Sequence, residues 1–308
     1  MGAKATRDSF GEELRELGKS NPSIVVLDAD LSVSTKSVTF AKAFPERFFQ
    51  MGIAEANMIG TAAGMAFSGF VPFCCSFGCF LTGKYETIRV SVGYSQANVK
   101  LVGTHAGLGI GEDGYTQMGL EDMNLMRGLP GMMVFNPADD KTTRAAVRFA
   151  AEHRGPVYLR LTRQKLPDLH ASADVFKPGR GIVLKSGGKL ALIGTGATVA
   201  EALQAADGLS SYKPWVIDMH TIKPIDKELL QTLATQCTHV VTVEDHNVIG
   251  GLGSAVAEAL CELGYPGKLL RLGVQDTYGE SGLPHELFEK YGFSVAQITR
   301  RVDQWMNH

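Results

Sequence analysis

The strongest constraint on the fold is a rhythm. Short apolar runs alternate with helix-length segments, and the alternation occurs twice along the chain. The first series reads as strands at 23–30 (SIVVLDAD), 47–51 (RFFQM), 70–77 (FVPFCCSF), 98–104 (NVKLVGT), 132–136 (MMVFN) and 156–161 (PVYLRL). Helices are expected between them at 52–69, near 80–92, at 118–127 and at 138–153. Strands that are apolar on both faces belong in a sheet covered on both sides by helices, which is the setting of parallel strands. The rhythm lapses over a Pro- and Gly-containing stretch. It resumes with strands at 189–194, 214–219, 239–244 and 268–273 and helices at 197–207, 226–235 and 252–263, followed by C-terminal helices. The reading is α/β: two consecutive parallel-sheet domains at 1–165 and 189–308, joined by a linker at 166–188.

One stretch raises the question of a membrane. From Ala56 to Gly83 the chain carries no charge for 28 residues. It also holds five Gly, Asn57 and Pro72, and Pro72 divides it, so a buried helix–strand–helix segment fits better than a spanning helix. Thirty Lys+Arg against 32 Asp+Glu give a net charge of −2, which argues against a nucleic-acid binder. The five Cys are odd in number, and three crowd into 74–79, so neither a disulfide framework nor a zinc site follows. Met1-Gly2-Ala3-Lys4 leads into a charged segment without an apolar signal core, and a cytoplasmic location is expected.

Ligand sites of parallel sheets lie at the carboxyl ends of the strands. Asp30 and Ser34 follow the first strand, Glu55 the second, Phe77 and Phe80 the third, His105 and Asp113 the fourth, and Arg163 the last. Glu55 has two readings. It is a first-turn acid favoured by the helix dipole, or a buried carboxyl kept for proton chemistry. The loop GLGIGEDG (107–114) contains a Gly109-x-Gly111-x-x-Gly114 spacing. As a dinucleotide fingerprint it is weak, because Glu112 and Asp113 would press charge against a pyrophosphate. A plain turn or a sugar-hydroxyl loop remains. His105, Arg163, Arg7, Phe77 and Phe80 each have an ordinary structural reading when taken singly.

Taken together, these segments resemble the C-terminal part of transketolase. GIAEANM (52–58) resembles the thiamine-diphosphate glutamate motif, SFGCF (76–80) the aromatic segment, THAGLGIGEDG (104–114) the substrate loop, and LRLTRQ (159–164) the phosphate-arginine segment. VEDHNVIGGLGSAVAE (243–258) and YGESGLPHELFEKYGFS (278–294) resemble the family's C-terminal domain. The resemblance implies a thiamine-diphosphate pyrimidine-binding domain followed by a transketolase C-terminal domain. It implies that Glu55 bonds the pyrimidine N1′, that Phe80 stacks on the pyrimidine with Phe77 beside it, and that Asp30 and Leu31 line the cofactor. It further implies that Arg7, Ser34, His105 and Arg163 line the channel for a sugar phosphate and that Asp113 takes a substrate hydroxyl. No GDG motif of the diphosphate-binding domain occurs in the chain. The expectation is therefore one half of a split enzyme. Its partner, an N-terminal transketolase subunit, would carry the Mg2+ or Ca2+ ligands in an α2β2 assembly, with no metal ligands on this chain.

The loop departs from the family pattern. The usual GEDGPTHQ or GEDGATHQ reads GEDGYTQM (111–118) here, so Gln117 stands for a histidine and Tyr115 for a small residue or proline. Gln donates and accepts hydrogen bonds but does not exchange a proton near neutral pH. Drift and an altered donor or acceptor, such as a branched sugar phosphate like apulose 4-phosphate, both remain open. Four further readings compete with ketol transfer: a 2-oxoacid dehydrogenase β-subunit, a deoxyxylulose-phosphate-synthase-like enzyme, a non-catalytic assembly subunit and a nucleotide-dependent oxidoreductase.

Overall fold

Ile24–Asp28 and Lys100–Thr104 are buried along their whole length in the computed structural model, which describes residues 2–307. Continuous burial of this kind requires a sheet covered on both faces. The strands in chain order are β1 (Ala3–Ala5), β2 (Ile24–Asp28), β3 (Phe48–Gln50), β4 (Val71–Phe77), β5 (Lys100–Thr104), β6 (Met133–Phe135), β7 (Val157–Arg160), β8 (Lys165–Pro167), β9 (Ile182–Lys185), β10 (Leu190–Gly194), β11 (Trp215–Asp218), β12 (Thr221–Lys223), β13 (His239–Asn247) and β14 (Lys268–Val274). The first sheet has the order β12-β6-β7-β5-β4-β2-β3 and the second β14-β13-β10-β11-β9; β1 and β8 form a small ribbon. Each sheet is parallel except for one antiparallel edge strand, β12 in the first and β9 in the second. One face of the first sheet is closed by Phe10 and Leu14 of the helix Thr6–Ser20 and by Ala146, Val147 and Ala150 of the helix Asp140–Glu152. Met58, Ile59 and Ala62 of the helix Glu55–Phe67 and Met123 and Met126 of Asp122–Arg127 belong to a second apolar core cluster.

Several expectations need correction. The charged N-terminal segment is a helix, Thr6–Ser20, and it carries Arg7. The helix expected near 80–92 is broken into Gly78–Thr82, Tyr85–Thr87 and a π-helical turn Ile88–Tyr94. The segment 166–188, expected as a linker, includes β9, which pairs with β11. β12 lies in sequence inside the second domain, yet it pairs with β6 and closes the edge of the first sheet. Both strands are short, and nothing local distinguishes them from loops; their pairing is decided by distant chain. At Gly60 and Gly64 of Glu55–Phe67 an added Cβ would meet nothing within 4 Å, so that side of the helix is open. Among the described residues no helix is long and apolar enough to cross a membrane.

Candidate active site

The order of the strands turns chain positions into a line. Reading across the carboxyl edge of the first sheet, β7 leads to Arg163, β5 to His105, β4 to Phe77 and Phe80, β2 to Asp30 and Leu31, and β3 to Glu55. Four strand spacings of about 4.8 Å separate β7 from β3, roughly 19 Å in all.

The middle of the line is tightly built. The rings of Phe77 and Phe80 stack with centroids 5.3 Å apart and planes within 8°. Phe77 also stacks on His105, at 3.8 Å. Leu31 packs into the same apolar cluster. The helix Thr6–Ser20 delivers Arg7, whose Nη1 reaches His105 Nε2 at 2.7 Å and donates to the Ser34 carbonyl at 3.0 Å. A guanidinium can only donate, so Nε2 must accept and the ring proton sits on Nδ1. That proton points to Thr104 Oγ1, 2.8 Å away. Burial, together with the charges of Arg7, Arg163 and Lys36, pushes His105 down to about 3, so the ring is neutral at ordinary pH. Arg7 is lowered as well, by burial first, and its Nε is buried without a partner.

The backbone here is unusual. Asp30 (φ 65°), Lys36 (φ 70°) and His105 (φ 58°) all lie in the left-handed region. Such conformations cost on the order of 1–3 kcal/mol each and cluster at functional sites. Asp28 explains how the β2 turn is held. Its fully buried carboxylate accepts the Leu31 N–H at 2.6 Å, Thr35 Oγ1 at 2.7 Å and Ser37 Oγ at 2.8 Å. Composition gave no sign of this role, although the DAD spacing after an apolar run is a turn signal.

The two ends of the line differ. At the β7 end, Arg163 Nη1 donates to the Ile110 carbonyl at 2.9 Å and pairs with Asp113 Oδ1 at 3.3 Å. At the β3 end, Glu55 is 8 % exposed, opens its helix, and meets no protein hydrogen-bond donor among the described residues. Asp30 is exposed and joins none of these contacts; its amide donates to Gln50 Oε1. Gln117 is half-buried, and its carbonyl accepts from Cys79 Sγ at 3.2 Å. The loop with the three glycines forms a 3-10 turn, Leu108–Asp113, and opens no long helix, unlike a dinucleotide fingerprint. Among the described residues no group of three His, Cys, Asp or Glu could hold a metal ion.

Fold and site thus define a two-domain α/β protein whose polar and aromatic residues gather at one carboxyl sheet edge. The family "Transketolase, pyrimidine binding domain" matches residues 2–168, and "Transketolase, C-terminal domain" matches 179–298. The chain belongs to the transketolase family. It is 44% identical to a candidate transketolase C-terminal section of Methanocaldococcus jannaschii, over 98% of this chain and 96% of that one. It is 41% identical to the 6-deoxy-6-sulfo-D-fructose transketolase subunit SqwH of Clostridium sp., over 97% and 93%. Against human transketolase the identity is 38% over 97% of this chain but only 48% of the human one. A solved structure described as a split gene transketolase, inactive beta4 tetramer, superposes with a TM-score of 0.90 at 50% identity over 98% of both chains.

Proposed function

We propose that this chain is the C-terminal subunit of a split thiamine-diphosphate-dependent transketolase that moves a two-carbon ketol unit from a ketose phosphate to an aldose phosphate. The observation that carries this reading is the linear site, with a lone carboxylate at one end, paired aromatic rings in the middle and a guanidinium at the other. Its length suits an extended cofactor–substrate pair. The residues also suit thiamine diphosphate in kind, since Phe77 and Phe80 offer a flat apolar wall and Glu55 has an uncommitted carboxylate. When bound, that group supplies the nucleophilic carbon of ketol transfer.

The roles proposed for the chain's own residues are those that the family resemblance implies, and the geometry is compatible with them. Glu55 bonds a ring nitrogen of the cofactor and holds a proton there through a short charge-assisted bond. Phe77, Phe80 and Leu31 exclude water, and Asp30 lines the cofactor's edge. Arg163 and Arg7 face the substrate phosphate, for which a planar fork of donors is well suited. Ser34 and Asp113 take sugar hydroxyls. His105 serves as a neutral polar ring whose Nε2 accepts. A partner subunit supplies the diphosphate-binding domain and the Mg2+ or Ca2+, in an α2β2 assembly. Two observations support the partner: near-complete overlap with the short relatives and half-coverage of human transketolase. At Gln117 this reading keeps both drift and an altered donor or acceptor; the Clostridium relative is described for a sulfonated ketose.

The test is direct. The purified chain with thiamine diphosphate and Mg2+ shows no ketol transfer from xylulose 5-phosphate, and adding a diphosphate-domain subunit produces it. Substantial turnover by the chain alone overturns the split-enzyme reading. Pyruvate consumption by the pair in place of ketol transfer overturns the reaction class.

A further inference from the structure

Asp245 belongs to the second domain but spends its carboxylate on the first. It sits on β13 and is 2 % exposed. One oxygen accepts the Leu108 N–H at 2.7 Å and the other the Gly109 N–H at 3.2 Å. Both amides open the turn Leu108–Asp113, so the start of the substrate-loop turn is capped from across the domain junction. The approach is close. A Cβ at Gly107, where φ is 85°, would lie 2.2 Å from Asp245 Oδ2. The second domain also covers the far side of the loop. A Cβ at Gly111 would lie 3.2 Å from the Gly282 carbonyl, and one at Gly114 would lie 2.7 Å from Ser281 Oγ.

The anchor is itself fixed. The Asp245 carbonyl accepts Arg160 Nη2 at 2.8 Å, and Arg160 Nε pairs with Asp122 Oδ2 at 2.8 Å in full burial. Just beyond the gripped amides, the loop presents the Ile110 carbonyl and Asp113, the two groups that hold Arg163.

We propose that Asp245 is a positioning residue: it fixes the loop 107–118 so that Ile110 and Asp113 aim the Arg163 guanidinium at the substrate phosphate. The second domain is on this account part of the substrate site, although it contributes no group that touches substrate. The functional half of the inference rests on the ketol-transfer reading; the structural half does not.

The experiment therefore has two readouts on the full chain. In Asp245→Asn, amide hydrogen exchange over 107–118 accelerates by about tenfold or more while the central strands keep their protection, because a charge-assisted acceptor is lost. Gly107→Ala, which keeps the carboxylate and displaces the loop, gives the same result and serves if the Asp245 variant folds poorly. Unchanged exchange in a folded variant overturns the grip. In the reconstituted pair, kcat/KM for xylulose 5-phosphate falls about tenfold or more, chiefly through KM, and by a clearly larger factor than that for L-erythrulose, which offers hydroxyls to Asp113 but no phosphate to Arg163. A loosened loop with both donors affected alike, or neither, overturns the link to Arg163. An inactive wild-type pair overturns the function proposed above and leaves the exchange result standing.

Discussion

Glu55 and Asp245 are both nearly hidden from water, at 8 % and 2 % exposure, yet their surroundings are opposite. Asp245 accepts two backbone N–H groups and lies beside a buried Arg160. Glu55 opens a helix at the sheet edge and receives no hydrogen bond from the protein among the described residues. A buried acceptor that the fold satisfies belongs to the architecture. One that the fold leaves open is available to a ligand. The largest expected effects test this contrast. Glu55→Gln, with a partner subunit present, should lower kcat by about 10²–10⁴-fold, the usual worth of a positioned proton-transfer group. Its melting midpoint should stay close to that of the wild type, as for a substitution that removes no internal contact. Turnover close to wild type in Glu55→Gln breaks the contrast outright.

The junction side predicts the reverse pattern. Arg160 is among the largest fully buried side chains, and it shares Asp122 with the Tyr158 hydroxyl, which donates at 2.7 Å. Removing one partner of a buried pair leaves an uncompensated charge and costs about 3–5 kcal/mol. Arg160→Met should show a loss of this size in urea unfolding, for which both domains should be monitored. A variant as stable as the wild type would mean that the network at Asp245 holds nothing.

A second cluster at the same junction is less completely paired and should respond to pH. His170 Nδ1 meets Asp139 Oδ2 at 2.9 Å, and its Nε2 lies 3.4 Å from Asp218 Oδ2. Both Asp218 oxygens lack a hydrogen bond. Burial pushes His170 down, but the bond to Asp139 and the field of Asp218 outweigh it, so the net shift is upward. Burial lifts Asp218 to about 7. A base raised above its unfolded value stabilises the fold at low pH, and that contribution is lost as pH rises through the folded value. An acid raised in the fold behaves in the same direction, losing its contribution between its ordinary value and about 7. Asp139, held low by His170 and Thr142 in spite of burial, works the other way, but only on the acid side. Thermal stability should therefore decline as pH rises from about 4 to about 7 through Asp218 and continue to decline above 6.5, the ordinary histidine value, through His170. His170→Asn should flatten the later part of that slope, and an unchanged slope there would mean that the His170 pair does not set it.

How much of this was legible in the sequence depends on how local each signal is. The central strands were readable because burial on both faces makes their apolar runs continuous, as in IVVLD and VPFCCSF. Their carboxyl ends then placed Glu55, Phe77, His105 and Arg163 along one edge. The helix carrying Arg7 was hidden by the charges of TRDSFGEELRELGKS, although Phe10 and Leu14 mark its buried stripe at helical spacing. β9 and β12 are short edge strands whose partners are distant in the chain, and no local pattern assigns them to a sheet. VEDH was visible as a motif. Only the folded junction brings its aspartate to the amides of Leu108 and Gly109.

Gln117 tests the open side of the contrast with the smallest expected effect. Its backbone is fixed, since its carbonyl accepts from Cys79 beside the stacked phenylalanines. Its side-chain amide makes no hydrogen bond to the protein among the described residues, so like Glu55 it is available to a ligand. The loop's other departure, Tyr115, is used differently: its ring lies 5.5 Å from Tyr278 of the second domain, which ties it to the side of the loop that Asp245 and Ser281 already hold. Changing Gln117 should therefore shift donor choice without loosening the loop. Gln117→His should raise kcat/KM for xylulose 5-phosphate by about three- to tenfold, the scale of one modest hydrogen bond, while amide exchange over 107–118 stays at the wild-type rate. If no donor in a panel of ketose phosphates responds, the glutamine is drift. If exchange accelerates as well, Gln117 belongs with Asp245 on the structural side of the comparison.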